Sequence, residues 1–375
     1  MDRQSGAVLE IEAFFRGFTR IDLSVDTILK ICYEEYIAAK QKPVSKSGNT
    51  SMLKQLIKQG LNAVDDLVVA VDPRAQGPDT LVNVLFHSLY ESPAQLGKGE
   101  LGPNQNVTVA DFRGFVEEML ENGYTIVSPG QLDAGLKPGG RYLTITFDDG
   151  YVNNTLALDV LNQFRVPATF FVSADHIQQN KAFWWDAFSR ELSRSGVSQS
   201  GQKAEIERVK TWTPEKIDAF LCERFGPSVL SPHGDIDRPF TPKELQQFAL
   251  NPWVHLGNHT RDHAILTNCT PEEMANQIET CQAALEDMVG YRPIVIAYPN
   301  GNCSPSAVNA ALNAGLRLGF TVAPHRTQLP LADSTRMTLG RFLFFGGQDI
   351  RRQCRLFSAR FVPSHTLKNL MHPAY

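Results

Sequence analysis

The chain has 375 residues, of which 42% are hydrophobic and 20% are charged, and its formal net charge is −4. This composition is typical of a globular protein, and the length suits one large domain with an extension or two domains. No basic stripe suggests nucleic acid as a partner, and no apolar run is long enough to span a bilayer. Residues 1–5 lack the basic region and apolar core of a secretory signal, so we expect a cytoplasmic protein unless a signal segment precedes residue 1.

Two patterns divide the chain. Apolar residues at helical spacing dominate residues 1–78, which we interpret as a helical N-terminal extension. Over residues 79–350 short apolar runs alternate with helical patterns, which predicts an α/β fold with a parallel sheet or barrel and helices outside. The last residues, 351–375, are interpreted as a C-terminal tail. The expected strands are 81–86, 125–127, 141–147, 168–172, 253–256, 294–298, 319–322 and 339–344, and the expected helices are 109–121, 156–164, 271–288 and 305–314.

A charged, proline-containing segment at about 183–250 interrupts this alternation. We interpret it as a helical insertion in the barrel domain, placed to cover one rim of the site. In a barrel of this kind the chemistry collects at the C-terminal ends of the strands.

Two adjacent carboxylates, Asp148 and Asp149, follow the expected strand 141–147. Buried carboxylates persist only when they are paired, hydrogen-bonded or bound to a metal. Neighbouring side chains of a strand point to opposite faces, so a turn at Gly150 is needed to aim both carboxylates at one cleft. The alternative is a solvated Asp-Asp-Gly turn, because Asp-Gly is a common turn signal.

Two histidines, His259 and His263, follow the expected strand 253–256. On a helical turn, residues four apart lie on one face, and this spacing suits two imidazoles that bind one metal. The alternative is a surface turn with two exposed histidines. With one aspartate the pair makes a facial set for a divalent ion, with positions open for water and substrate. The second carboxylate can then act as a general base, which is the equipment for hydrolysing an amide or ester.

At these residues the chain resembles the polysaccharide deacetylase family, also called the NodB-homology domain or carbohydrate esterase family four. The resemblance rests on residues 146–150 (TFDDG) and 259–263 (HTRDH), and on the flanking segments 167–172 and 297–301. It covers roughly residues 81–345. It implies a distorted seven-stranded (β/α) barrel and the metal-dependent removal of an acetyl group from an N-acetylated sugar or polysaccharide.

The resemblance assigns roles residue by residue. Asp149, His259 and His263 match the metal-binding residues, and Asp148 matches the catalytic base. The segment 297–301 matches the third motif of the family. It places Tyr298 and Asn300 at the substrate, with the backbone N–H of Asn300 as the donor to the oxyanion. Family members usually have an aromatic residue at that position, so Asn300 departs from the pattern.

Two further residues complete the implied site. Many members carry an arginine that supports the base where this chain has Ala297, and we expect Arg341 to replace it, the alternative being a surface arginine on a strand. His87 resembles the histidine that opens the exopolysaccharide-type branch of the family and would serve as the general acid. A histidine pKa near neutrality suits proton delivery, whereas the alternative is a histidine that caps a buried strand.

The implied substrate is an N-acetylated carbohydrate, and the implied cofactor is a divalent metal, expected to be Zn²⁺, with Co²⁺, Ni²⁺ or Mn²⁺ as alternatives. Two other functions stay open. The chain could hydrolyse a cytoplasmic sugar precursor or another non-polymer amide, or it could be a catalytically silent glycan-binding protein. His176 and His233 have no partner pattern and are expected at the surface. The aromatic run 183–185 is expected to anchor the insertion rather than to stack on sugar, unless Trp184 or Trp185 lies beside the cleft.

Overall fold

The structure, a computed structural model, describes residues 78–98, 105–359 and 362–365, together with the helical positions 60, 62, 64–66 and 69. The chain divides into two units, one of Met1–Val68 with Val362–Met371 and the other of Val69–Phe361 with His372–Tyr375. Within the first unit the Asp65 carboxylate accepts a hydrogen bond from the Ser364 N–H at 3.0 Å. Most of the predicted helical extension lies outside the described residues, and the division into domains stays a prediction.

The second unit contains a curled, mostly parallel sheet with helices packed around it. The strands of this unit are β1 (Thr80–Phe86), β2 (Leu89–Tyr90), β3 (Val107–Thr108), β4 (Thr125–Ile126), β5 (Arg141–Phe147), β6 (Ala168–Val172), β7 (Val254–Asn258), β8 (Val295–Ala297), β9 (Leu318–Phe320), β10 (Thr327–Gln328) and β11 (Phe342–Leu343), of which β2 and β3 form a separate two-stranded sheet. Its α-helices are α1 (Val109–Glu121), α2 (Pro129–Ala134), α3 (Leu158–Phe164), α4 (Ala174–Gln179), α5 (Trp184–Arg194), α6 (Gln199–Val209), α7 (Pro214–Phe225), α8 (Pro242–Ala249), α9 (Pro271–Val289), α10 (Pro305–Asn313) and α11 (Ile350–Ser358). The expected strands and helices are confirmed with small shifts at most ends, but the expected strand 339–344 is reduced to Phe342–Leu343.

The sheet follows the order β10-β1-β5-β6-β7-β8-β9, with β4 beside β5 and β11 beside β1. β1 and β5 pair in parallel along their whole length, from Thr80 with Arg141 to Phe86 with Phe147. The segment that ends in β11 joins the two sides of the sheet, because Leu339 bridges to Phe320 of β9 while Phe342 pairs with Val84 of β1. The sheet therefore curls into a distorted barrel, as the family resemblance implies.

The alternation of side chains along β5 explains how the barrel positions polar groups. Leu143, Ile145 and Phe147 belong to the large hydrophobic cluster that packs the sheet against helices such as α1 and α3. Thr144 and Thr146 point to the other face, because side chains alternate along a strand. There the Thr144 hydroxyl bonds to the Asn83 side chain at 2.7 Å. The next residue on this inner face is Asp148.

The predicted insertion is helical and consists of α5, α6, α7 and α8. Its first three helices build a hydrophobic cluster of their own, formed by Trp184, Ala187, Phe188, Leu192, Ile206, Val209, Ile217, Leu221 and Val229. A buried ion pair between Arg190 and Asp237, 2.8 Å long, holds the loop that leads to α8. The insertion therefore has a hydrophobic core of its own.

Helix α11 follows the barrel and lies in the stretch that we interpreted as a tail. Its side chains Cys354 and Phe357 are buried in the main hydrophobic cluster, and the helix packs on α1. Among the residues described, no helix combines the length and apolar character needed to cross a membrane.

His176 is buried, so its expected surface position is wrong. Only 2% of it is exposed, on helix α4 directly after β6. Its Nδ1 lies 2.9 Å from the Lys181 carbonyl oxygen, and its ring stacks on Phe183 with the centroids 4.2 Å apart. Burial lowers the pKa of His176 to about 3. His233 is exposed, as expected.

We predict that His176 makes folding stability depend on pH. The unfolded chain titrates this group near 6.5 and so binds more protons below that pH than the folded chain does. Stability should therefore fall by about 1.4 kcal/mol per pH unit as the pH drops below 6.5. His176→Asn, whose amide can also donate to the Lys181 carbonyl, should lose this part of the slope in denaturant titrations at several pH values. His233→Asn should keep the wild-type slope, and equal slopes for wild type and His176→Asn would contradict the assignment.

Candidate active site and metal centre

The two aspartates lie at the C-terminal end of β5, on the rim of the barrel. The Asp148 N–H donates to the Phe86 carbonyl at 3.0 Å, which extends the β1–β5 ladder by one residue. Asp149 then adopts a left-handed conformation with φ of 77°, and Gly150 follows with φ of 86°. Asp149 would face away from Asp148 in a continued strand, and this turn brings its carboxylate back to the same cleft. The predicted turn therefore begins one residue earlier than Gly150.

His259 and His263 lie in a tight loop after β7. The expected helical turn is wrong, because Thr260 and His263 have positive φ values of 64° and 57°. Side chains hold the loop: Asn258 Oδ1 accepts from the Thr260 N–H at 2.8 Å, and Thr260 Oγ1 accepts from the Ala264 N–H at 2.9 Å. Such local bonds by Asn and Thr compete with helix formation. The loop still brings the two imidazoles together, with ring centroids 4.8 Å apart.

The side chains of Asp149, His259 and His263 converge. Asp149 Oδ1 lies 3.5 Å from Nε2 of His259 and 3.3 Å from Nε2 of His263. One donor atom from each residue lies within 4.8 Å of the others. Asp148 Oδ2 is 3.9 Å from His259 Nε2, beside this set. The sequence motifs thus meet at one point.

The chemistry of these donors fits a divalent metal. His259 Nδ1 lies 2.8 Å from the Ala297 carbonyl oxygen, which can only accept, so Nδ1 carries a hydrogen, and in the neutral ring the lone pair that can bind a metal is on Nε2, the nitrogen that faces Asp149. Ligating histidines commonly fix their second nitrogen in this way. Two imidazole nitrogens and one carboxylate oxygen suit Zn²⁺ and other first-row divalent ions.

Arg341 is fully buried and donates two hydrogen bonds to the carboxylate of Asp148. Its two terminal nitrogens lie 2.6 and 2.7 Å from the two oxygens of Asp148. Its Nε donates to the Thr321 carbonyl at 2.9 Å, and one terminal nitrogen also donates to Thr146 Oγ1 at 3.2 Å. The guanidinium also lies near the ring of Phe171. The structure thus places Arg341 against the predicted base and not at the surface.

These contacts shift the pKa values of the charged groups. Burial raises the pKa of Asp148, but the charges of Arg341 and His259 and the hydrogen bonds from Arg341 together outweigh burial and bring this pKa below its usual range. Burial also raises the pKa of Asp149, but the hydrogen bonds from the two histidines and the nearby positive charges outweigh burial. The pKa of Asp149 therefore lies well below its usual range. The pKa of His259 is raised because both carboxylates outweigh its burial, whereas burial lowers the pKa of His263. Both aspartates are therefore ionised at neutral pH.

His87 directly follows β1 and lines the same cleft as Asp149 and His263. Its Nδ1 lies 2.7 Å from Oε1 of Gln105, and its carbonyl accepts a hydrogen bond from Asn154 Nδ2 at 2.7 Å. The residue is half-buried. Its placement is compatible with the predicted acid role.

The third motif contributes one residue to the cleft and one to the core. Asn300 lines the cleft with φ of 59°, a conformation that asparagine tolerates better than most residues. It lies in the first turn of the 3₁₀ helix Pro299–Gly301, where N–H groups lack helical acceptors. Tyr298 is fully buried in a hydrophobic cluster with Leu266 and Met337. The predicted substrate contact by Tyr298 is therefore corrected: its side chain is part of the core.

A cavity of about 370 Å³ opens above Asp149 and His263, and the insertion forms one wall of it. The insertion residues of this wall are Trp184, Trp185, Asp186, Ile206, Glu207, Lys210, Trp212, Pro214 and Ile217. Trp184 and Trp185 thus pack in the hydrophobic cluster of the insertion and also border the cleft.

Trp185 connects the insertion to a predicted metal ligand. Its ring lies 4.5 Å from that of His263, centroid to centroid. Its Nε1 donates to the Tyr151 hydroxyl at 3.1 Å, and that hydroxyl donates to Asp186 Oδ2 at 2.7 Å. Within the described structure His263 Nδ1 has no hydrogen-bond partner, so packing by Trp185 orients this ring. The sequence left open whether Trp185 lies beside the cleft but did not predict its contact with His263. It also did not predict the contact of Gln105 with His87, because Gln105 belongs to none of the motifs.

Comparison with known proteins gives one family. The model of the polysaccharide deacetylase family matches residues 135–319. YxkH of Bacillus subtilis (strain 168), a curated protein named as a polysaccharide deacetylase, is 21% identical over 256 residues, which are 67% of each chain.

Solved structures show the same fold. The Streptococcus pyogenes deacetylase PplD, in complex with acetate, superposes with a TM-score of 0.52 at 16% identity, over 75% of this chain and 99% of that one. BC0361, a polysaccharide deacetylase from Bacillus cereus, gives a TM-score of 0.51 at 14% identity, over 75% of this chain and 69% of that one. These likenesses show the fold, and the family model identifies residues 135–319 of the chain as a polysaccharide deacetylase domain.

Proposed function

We propose that the protein is a metal-dependent hydrolase that removes the acetyl group from an N-acetylated sugar or polysaccharide. The observation that carries this proposal is the convergence of Asp149, His259 and His263 beside an Asp148 that Arg341 holds ionised. The match to the family model supports the reaction class. The position of His87 at the end of the first strand supports the exopolysaccharide-type branch.

Asp149, His259 and His263 would hold the cation. A divalent cation bound there would polarise the acetamido carbonyl and lower the pKa of water toward about 7, within reach of a weakly basic carboxylate. This matters because the low pKa of Asp148 makes it a poor base toward ordinary water.

The chain's own groups then divide the reaction. Asp148 accepts a proton from the attacking water, and Arg341 keeps the carboxylate oriented toward it. The Asn300 N–H donates to the carbonyl oxygen as negative charge develops there. His87 delivers a proton from Nε2 to the nitrogen as the C–N bond breaks. Water has then supplied the oxygen of acetate, and the sugar keeps a free amine.

The first test removes one metal ligand at a time. Asp149→Ala, His259→Ala and His263→Ala should each lose bound zinc, as measured by elemental analysis, and should lose deacetylation of N-acetylated oligosaccharides. His233→Ala, which removes an exposed histidine of the insertion, should keep both. A chelated wild-type protein should recover turnover when zinc is returned. Full activity in any ligand variant would refute the proposal, and an inert wild type with bound zinc would favour the silent glycan-binding alternative.

Arg341→Lys tests how the base is held. Lysine keeps the positive charge but cannot make the two-point contact with Asp148, so the carboxylate should lose its orientation. We expect kcat to fall about 10- to 100-fold, as small misplacements of catalytic groups do, while the zinc content stays unchanged. Arg336→Lys is the matched control, since Arg336 pairs with Asp133 away from the cleft. Equal kcat values for Arg341→Lys and wild type would remove Arg341 from the mechanism.

The wall formed by the insertion favours a second candidate substrate, a short or non-polymer acetamide such as a cytoplasmic sugar precursor. Strands and loops around the rim border the cavity on the other sides, through His87, Asn300, Ile265 and Leu343. A cleft bordered in this way suits a small molecule or a chain end better than the interior of a polymer. The kcat/KM values for N-acetylated mono-, di- and tetrasaccharides, compared with a polymer, decide between them. A value that rises steadily with chain length would argue against the small substrate.

A further inference from the structure

Gln105 is a buried glutamine whose side chain lies between two strand ends and His87. It precedes β3 and is 5% exposed. Its Nε2 donates to the carbonyl of Leu85 at 2.6 Å and to the carbonyl of Phe344 at 2.8 Å. Both amide hydrogens are therefore used by acceptors that cannot themselves donate.

This arrangement fixes which way the amide faces. If the amide were flipped, Oε1 would lie against two carbonyl oxygens, which is repulsive at these distances. Oε1 must therefore face His87 Nδ1, 2.7 Å away, and Oε1 can only accept. It follows that His87 carries a hydrogen on Nδ1 and that the lone pair of the neutral ring is on Nε2.

We propose that Gln105 is the positioning residue of His87, which it locks in the Nδ1–H tautomer with Nε2 directed to the cleft. This inference rests on the proposed function, in which His87 is the general acid. In the protonated ring the Nδ1 hydrogen stays with Gln105, so only the Nε2 proton can pass to the leaving nitrogen.

Gln105 is uncharged, and this affects how readily the protonated ring of His87 gives up its proton. A carboxylate at this place would stabilise the imidazolium and make it a weaker acid. An amide orients the ring through the same hydrogen bond without adding charge. Asn154 holds the backbone of the same residue, because its Nδ2 donates to the His87 carbonyl at 2.7 Å. His87 is thus fixed at its carbonyl and at its ring by two neutral amides.

Gln105→Leu tests the proposal, since it keeps a side chain of similar volume and removes the contact with Nδ1. We expect kcat on an N-acetylated oligosaccharide to fall roughly 100-fold, with KM and zinc content unchanged. His87→Asn sets the activity without the acid. Adding Gln105→Leu to His87→Asn should cost nothing more, because residues that act as a unit are non-additive. A further large loss in the double variant would overturn the proposal.

A second readout does not depend on turnover. In the full-length, zinc-loaded protein, ¹⁵N NMR of the histidine side chains should show His87 as the Nδ1–H tautomer in wild type and as a mixture in Gln105→Leu. An unchanged tautomer would overturn the role of Gln105. A change of tautomer in a protein that hydrolyses no N-acetylated substrate would uphold the positioning role and would refute only the proposed function.

Gln353 supplies a matched control. It is also a buried glutamine, and it clamps the end of the same strand segment by bonding both the N–H and the carbonyl of Phe345 at 2.9 Å. It has no contact with His87 in the described structure. Gln353→Leu should lower stability to a similar degree but keep the tautomer and the kcat of wild type. If it reproduces the defects of Gln105→Leu, then Gln105 acts only through general stability and the proposal falls.

Discussion

The buried ion pair of Asp148 and Arg341 ties the chemistry of the cleft to the closure of the barrel. Asp148 extends β5, whereas Arg341 lies on the segment that bridges β9 and β1, so the pair forms only when the sheet has curled. Neither charge can return to water in the folded state, and removing one partner of such a pair typically costs about 3–5 kcal/mol. The carboxylate that we propose as the base is therefore also a structural element, and its two hydrogen bonds with the arginine leave it little freedom to misorient.

Strained backbone conformations also occur at this rim. Asp149, His263 and Asn300 all have positive φ values, and each follows the end of a parallel strand. Such conformations cost of order 1–3 kcal/mol for residues other than glycine, although asparagine and aspartate tolerate them better. They persist because neighbouring bonds enforce them, as the Asn258 and Thr260 side chains do for the histidine loop. The barrel thus holds in place the turns that direct these residues into one cleft.

The sequence predicted those features that depend on periodicity and on a few dense motifs. Strand β5 and helix α1 were predicted to the residue, because alternation along β5 and helical spacing along α1 are local signals. The convergence of Asp149 with the two histidines followed from strand ends meeting on one rim. Tyr298 was misplaced because a motif names a position but does not say whether its side chain faces the cleft or the core. Gln105 could not be found, and for Trp185 the sequence left open only whether it lies beside the cleft, since the contacts of both residues with histidines depend on the tertiary structure.

The two predicted metal-binding histidines are oriented by different interactions, one by a hydrogen bond and the other by ring packing. Because the packing ring belongs to the insertion, the insertion contributes to the predicted metal site. A carbonyl of the barrel fixes His259 through a hydrogen bond, which moves only if the sheet moves. The ring of His263 instead packs against the ring of Trp185. Trp185 donates a hydrogen bond to Tyr151, and Tyr151 donates one to Asp186. Trp185 and Asp186 both belong to α5. Packing is less directional than a hydrogen bond, so small rearrangements of α5 would turn the His263 ring more easily than that of His259. The insertion therefore shapes the wall of the cleft and also helps to set the geometry of the donors at its floor.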